Sequence, residues 1–422
     1  MQARHFLLLQ GPCGSFYRHL QKALETGGHR CTRIAINGGD LAGSVFGRMI
    51  RYRRSLADWP HWISDLASRE TVTDVICYGD CRPYHRAAIA ALKPLGITVH
   101  VLEEGYLRPN WITCEADGVN GYSPLTRIDL DSIDGSYLEG MPGNPEVKLK
   151  SAHWNYVLAG IGYYFWSLML TPLFPRYQSH RDLDVVSEAS LWAGRLVTWP
   201  AAKLRTVRIL KTIARMDKPV HLALLQLNGD SQIKEHSPFT STRHFAEFCI
   251  SEFAASGAVD SILVFKNHPL DNGIIDIGRV IREAAARHGV GDRVFFLETG
   301  KLVPVLERAI SVTAINSTAC HQALMRGIPT MVLGKAVFNH PQIVAQGRLA
   351  DFFRLRPCAD KSAYHKFVGL MRATCQYNGG FYSRQGRDTL LPELTRALTE
   401  GTHQPGDFGT VTTAETASRK AS

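Results

Sequence analysis

Short apolar runs, each ending in a cluster of small and polar residues, recur along this chain of 422 residues with helical patterns between them. His5 to Leu9 stops at Gln10-Gly-Pro-Cys-Gly-Ser15, and Cys31 to Ile36 stops at Asn37-Gly-Gly-Asp40. Thr98 to Leu102 runs into Glu103-Glu-Gly-Tyr-Leu-Arg108. A strand covered on both faces reads as an unbroken apolar run, and its parallel neighbour needs a crossover helix. The rhythm therefore predicts βαβ units and a parallel sheet, with helices over 16–25 and 84–92 and a further strand over 73–77. It resumes at Val220, where strands over 220–225, 261–265, 294–297, 310–315 and 330–333 alternate with helices over 242–255, 275–288, 301–308 and 318–325.

Two such stretches, in a chain too long for a single core, predict two Rossmann-like α/β lobes with ligands at the strands' C-terminal ends. The expected divisions are an N-terminal lobe over 1–125, a helical connection over 126–218 and a C-terminal lobe over 219–345. Helices over 346–400, among them 364–374, are expected to pack back, and 401–422 reads as a disordered tail, since it has too few large apolar residues to form a core.

Charge narrows the partners. The formal net charge is +10 and the pI near 9.2, which points to an anionic ligand or surface. Nucleic acid is disfavoured, because the cations are dispersed and not interleaved with aromatics in a recognition module. The nine cysteines are odd in number and never spaced CxxC, which argues against a disulfide framework or zinc site and for a reducing, cytoplasmic compartment. Tyr156 to Phe174 holds nineteen uncharged residues. Three readings fit it: a helix buried in or bridging the lobes, a helix lying in a membrane interface, or a span. Gly160, Gly162 and Pro172 count against the span.

The polar clusters at strand ends are the candidate sites. In Gln226-Leu-Asn-Gly-Asp-Ser-Gln232, Asp230 stands among amides and a hydroxyl that can orient a carboxylate, as a nucleophile or as a stabiliser of an oxocarbenium-like state; the alternative is a turn or cap aspartate. Lys266 and His268, in Lys266-Asn-His-Pro-Leu-Asp271, suit neutralisation of a phosphate leaving group. In Ile315-Asn316-Ser317-Thr318, a Ser or Thr cap would leave helix N–H groups free for an anion. In the N-terminal lobe, Glu103 or Glu104 reads as an acid/base for an incoming hydroxyl, or as a solvated acid paired with Arg108, and the Gln10-Gly-Pro12 turn and the Asn37-Gly-Gly-Asp40 stretch read as cleft-lining loops. No Walker A, HExxH, GxSxG or suitably placed DxD occurs, so no metal or cofactor is expected, and phosphate neutralisation falls to His, Lys and helix N-termini.

Taken in order, FLLLQGP at 6–12, NGGD at 37–40, EEGYLRP at 103–109, QLNGDSQI at 226–233, KNHPLDNG at 266–273 and INSTACHQALMRGIPTMVLGKAVF at 315–338 resemble the bacterial capsule polysaccharide biosynthesis family. The resemblance is greatest to its branch that adds a first β-Kdo to a phosphatidylglycerol anchor. It implies a GT-B arrangement, an acceptor lobe followed by a nucleotide-sugar lobe with a cleft between them. The implied activity is metal-independent, retaining transfer of Kdo from CMP-Kdo to an anionic lipid, peripheral on the cytoplasmic face of the inner membrane and beside other capsule assembly and export proteins. It implies Asp230 as nucleophile, His268, Ser317 and Thr318 at the CMP phosphate, and Glu103 or Glu104 as acid/base. Asn267 stands where many relatives carry a second basic residue. Another nucleotide-sugar enzyme, or a non-catalytic export or assembly partner, would also keep this fold.

Overall fold

The computed structural model describes residues 3–42, 47–133, 147–179, 181, 183–229, 231–357 and 360–401. The chain divides into two compact units, Met1–His180 with Val368–Ser422, and Arg181–Phe367. The first contains β1 (His5–Leu8), β2 (Arg30–Ala35), β3 (Met49–Arg51), β4 (Asp74–Tyr78), β5 (Thr98–Glu104) and β6 (Trp111–Ala116). The second contains β7 (Val220–Leu224), β8 (Ile262–Lys266), β9 (Val294–Leu297), β10 (Ala309–Ala314) and β11 (Thr330–Val332), and β12 (Gln376–Asn378) returns to the first.

Both units are built on the same plan. Among the described residues, the first sheet runs β12-β6-β5-β4-β1-β2-β3 and the second β11-β10-β7-β8-β9. The strands β3-β2-β1-β4-β5 are mutually parallel, as are β9-β8-β7-β10-β11. Each is the Rossmann order 3-2-1-4-5, in which the chain reverses direction across the sheet at one crevice, between β1 and β4 in one unit and between β7 and β10 in the other. The α/β class and the two Rossmann-like lobes stand as the rhythm predicted.

Apolar packing explains the plan. Leu7, Val75, Cys77 and Val101 face one side of the first sheet, against Trp59, Ile63, Tyr84 and Ala88 of two crossover helices. Phe6, Leu8, Ile76 and Leu102 face the other, against Phe16, Leu20 and Leu24 and the C-terminal Leu390, Leu394 and Leu398. In the second unit Phe245, Ile250 and Phe253 of the helix Thr242–Ala255 cover Leu263 and Phe265 of β8.

Several elements differ from the expectation. Glu103 and Glu104 end β5 itself, and the EEGYLRP turn is a hairpin into β6, which runs antiparallel with Glu104 opposite Ile112. Gly105 is required there, since a Cβ would lie 2.3 Å from the Trp111 carbonyl oxygen. The expected connection is shared between the units: 147–177 packs in the first, while Val185–Met216, a helix of 32 residues, belongs to the second. Asp184 caps that helix by accepting from the Val186 and Ser187 N–H groups, and an internal Pro200 and a weak apolar stripe hide it from the sequence. β12 pairs with β6 as only three residues, Gln376 opposite Thr113. The expected Gly140–Pro145 turn and the tail beyond Gly401 lie outside the described residues.

Candidate functional site

In the second unit the register sets the strand ends level. Lys266 of β8 and Ala314 of β10 both pair with Leu224 of β7, so the chain leaves three neighbouring strands in one row. Gln226 and Asn316 face each other across the β7/β10 crevice: the Gln226 amide donates to Asn316 Oδ1 at 2.8 Å, and the Asn316 N–H donates back to Gln226 Oε1 at 3.1 Å. Thr242 Oγ1 donates to the Gln226 carbonyl at 2.9 Å. Both amides are buried and spend their groups holding the crevice open to one shape.

Lys266 is the buried cation of this row. Its ammonium donates to the Asn267 carbonyl at 2.9 Å. Loss of water, with a smaller push from the Arg195 guanidinium, lowers its pKa to about 8. Arg195 is itself ion-paired to Glu298, which also holds Arg205 at 2.7 Å. His268 is half-buried, and its Nδ1 accepts the Leu270 N–H at 3.1 Å. That bond places the proton of the neutral ring on Nε2, a donor for an anion. Asn267 donates to Asp271 at 2.9 Å and accepts the His268 N–H at 2.9 Å, so it braces this loop.

The Ser317–Thr318 turn departs from expectation. The helix is shorter than predicted, Cys320–Leu324, and its N-cap is Ala319 with no side-chain cap. Ser317 Oγ accepts the Ala319 N–H at 3.3 Å, a local turn bond, and both hydroxyl residues are partly exposed. Asp230 lies outside the described residues, and the side chain of Gln232, in the helix Ser231–His236, does too.

In the first unit, loss of water raises the Glu103 carboxyl to about 7, against the pull of Arg82 and Arg108 and with a push from Glu104. Burial raises Glu104 too, opposed chiefly by Arg108. The Glu104 N–H donates to Glu103 Oε1 at 3.1 Å, which fixes that carboxylate at the strand end. Arg108 is exposed and donates from Nε to the Gly105 carbonyl at 3.1 Å. Gln10 is engaged on both sides, accepting from Arg82 at 2.9 Å and donating to the Tyr163 hydroxyl at 2.7 Å. It braces the β1/β4 crevice.

Two features escaped the sequence. Arg82 follows β4 in the Gly-Asp-Cys-Arg-Pro turn, stacks 5.0 Å from the Tyr78 ring centre and is the cation nearest in effect to Glu103. Its place at a strand end beside the reversal crevice was a usable signal. The other is what the NGGD loop, marked by the sequence as a polar strand end, packs against. Asn37 donates to the Tyr163 hydroxyl at 2.8 Å, which donates to Asp40 at 2.9 Å, and a Cβ on Gly38 would lie 2.3 Å from the Trp166 carbonyl oxygen. The two glycines let the helix His153–Met169 close onto the sheet edge.

The family described as "Capsule polysaccharide biosynthesis protein" matches residues 73–382. The chain is 30% identical over 388 residues to "Capsule polysaccharide export protein KpsS" of Escherichia coli, covering 90% of this chain and 98% of that one. It is 28% identical over 393 residues to "Capsule polysaccharide modification protein LipB" of Neisseria meningitidis serogroup B, covering 90% and 92%. A solved "KpsC, beta Kdo 2,7 transferase" of Thermosulfurimonas dismutans aligns at 11% identity and a TM-score of 0.43 over 94% of this chain and 99% of that one. With a family match that takes in β4 to β12 and relatives aligned along nearly their whole length, the chain belongs to the capsule polysaccharide biosynthesis protein family.

Proposed function

We propose that this chain is a retaining β-Kdo glycosyltransferase that moves Kdo from CMP-Kdo to a phosphatidylglycerol-type lipid at the cytoplasmic face of the inner membrane. The observation that carries the reading is the level row of β10, β7 and β8 strand ends, where Lys266 at the end of β8 supplies a desolvated cation and His268 an Nε2–H donor. A monophosphate leaving group needs only such donors, and Ser317 and Thr318, after β10, would add theirs. Asp230 attacks the anomeric carbon as the bond to the CMP phosphate breaks, and CMP leaves. The lipid hydroxyl then displaces Asp230 from that carbon, and its proton passes to Glu103 or Glu104. Two inversions give retention. Glu103 near 7 is suited to take up that proton at neutral pH.

The test is incubation with CMP-Kdo and a phosphatidylglycerol-type acceptor, read by mass spectrometry. A mass increase of one Kdo is expected, and its absence with intact donor would sink the reading. A second reading, a non-catalytic export or assembly partner, is favoured by the description of the Escherichia coli relative as an export protein. It expects no transfer, and capsule retained in cells carrying Asp230→Ala. An enzyme of this fold using another nucleotide-sugar would be stabilised against heat by UDP rather than CMP.

A further inference from the structure

The helix His153–Met169 carries a surface that sugar transfer leaves unused. Trp154, Leu158, Ile161, Phe165, Leu168 and Met169 are all large, apolar and about half exposed or more, from 48% at Leu168 to 74% at Trp154. At 100° per residue these positions fall within one arc of about 100°. Tyr163 sits on the opposite side, where Gln10, Asn37 and Asp40 hold its hydroxyl. One side of the helix is therefore clamped to the sheet edge while the other is a continuous apolar stripe. Single exposed hydrophobics need no account, but six in register on a fixed helix do.

Charge identifies what covers it. From 147 to 179 the chain has no aspartate or glutamate, and exposed Lys148 and Lys150 precede the helix as exposed Arg176 follows it. An apolar stripe containing tryptophan, with cations at both ends and no acid within its own segment, matches the boundary between headgroups and acyl chains of an anionic bilayer. Among the described residues no helix is long and apolar enough to cross a membrane, so this one would lie flat.

We propose that the stripe Trp154, Leu158, Ile161, Phe165, Leu168 and Met169 is the surface by which the protein lies on an anionic lipid bilayer, with Lys148, Lys150 and Arg176 meeting the headgroup phosphates. This surface extends the lipid-acceptor reading and rests on it for the reason the protein meets a membrane. Its test needs no turnover. The full-length protein is floated with vesicles of phosphatidylglycerol and phosphatidylethanolamine, and with vesicles of phosphatidylcholine alone.

Wild type is expected to float with the anionic vesicles, to bind the neutral ones at least about tenfold more weakly, and to be released by salt. The double variant Leu158→Glu/Phe165→Glu is expected to lose about tenfold or more in anionic-vesicle binding with an unchanged melting temperature. A second variant, Lys148→Glu/Lys150→Glu, spares the stripe and is expected to weaken binding to the anionic vesicles alone. Flotation of the stripe variant at wild-type level, or no flotation of wild type, overturns the proposal. So does a stripe-dependent doubling of mass without vesicle binding, which would assign the stripe to a second copy of the chain. A protein that floats yet transfers no sugar overturns the transfer reading and leaves this surface standing.

Discussion

At Glu103 the surroundings disagree about the charge of one carboxyl. Loss of water favours the proton while Arg82 and Arg108 favour the carboxylate, and the balance lies near 7. If Glu103 is the base, turnover should rise with pH through about 7, and Glu103→Gln should cut kcat about 100- to 10,000-fold. The sign for stability is opposite. The native carboxyl holds its proton more tightly than in the unfolded chain, so its contribution is present below the unfolded value and is lost as pH rises through about 7. Glu103→Gln should therefore melt higher than wild type at pH 9 and not at pH 4, as calorimetry would read. Arg82→Leu removes one pull toward the carboxylate, so the rising limb of the pH–rate profile should move to higher pH. A structural role alone would lower kcat without moving that limb. Lys266 works in the other direction: its ammonium is lost as pH rises through about 8, so if it meets the CMP phosphate, CMP affinity should fall above that pH in titration calorimetry, and a Lys266→Met variant should bind weakly and without this step.

At the level of elements, close approach rather than polarity explains the conspicuous glycines. In the NGGD loop a Cβ on Gly39 would lie 2.7 Å from the Tyr163 ring, and on Gly38 closer still to the helix backbone. In the β5–β6 hairpin Gly105 meets the Trp111 carbonyl, to which its own N–H donates at 2.8 Å. Gly105→Ala should cost about 1–3 kcal/mol in denaturant unfolding through overpacking, and should lower turnover further by displacing Glu103 and Glu104. The sequence marked these stretches as polar loops at strand ends, which was the right place. It did not reveal that Gln10, Asn37, Gln226 and Asn316 spend their amides bracing crevices, because the partners of each lie tens to more than a hundred residues away.

Across the whole molecule, the first unit is completed by the chain's C-terminal part. β12 and the helix Arg384–Glu400 add Tyr377, Leu390, Leu394 and Leu398 to the face formed by Phe6, Phe16, Leu20 and Ile76. Arg4 joins the ends, donating to buried Asp74 at 2.6 Å and to the Leu398 carbonyl at 2.8 Å. Truncation after Phe367 should therefore open the first unit and leave the second folded, read as protease cleavage confined to residues before 180. The parallel strands, their crossover helices and the polar clusters that end them were legible in the sequence, because a strand buried on both faces must be apolar throughout and must stop where water begins. Local pattern could not supply β12, the hairpin after Glu104, the effect of Arg82 on Glu103 and of Arg195 on Lys266, or the bare side of the helix His153–Met169. A three-residue edge strand carries almost no periodicity, a charge acquires its effect from what surrounds it, and only packing decides which face of an apolar helix stays uncovered.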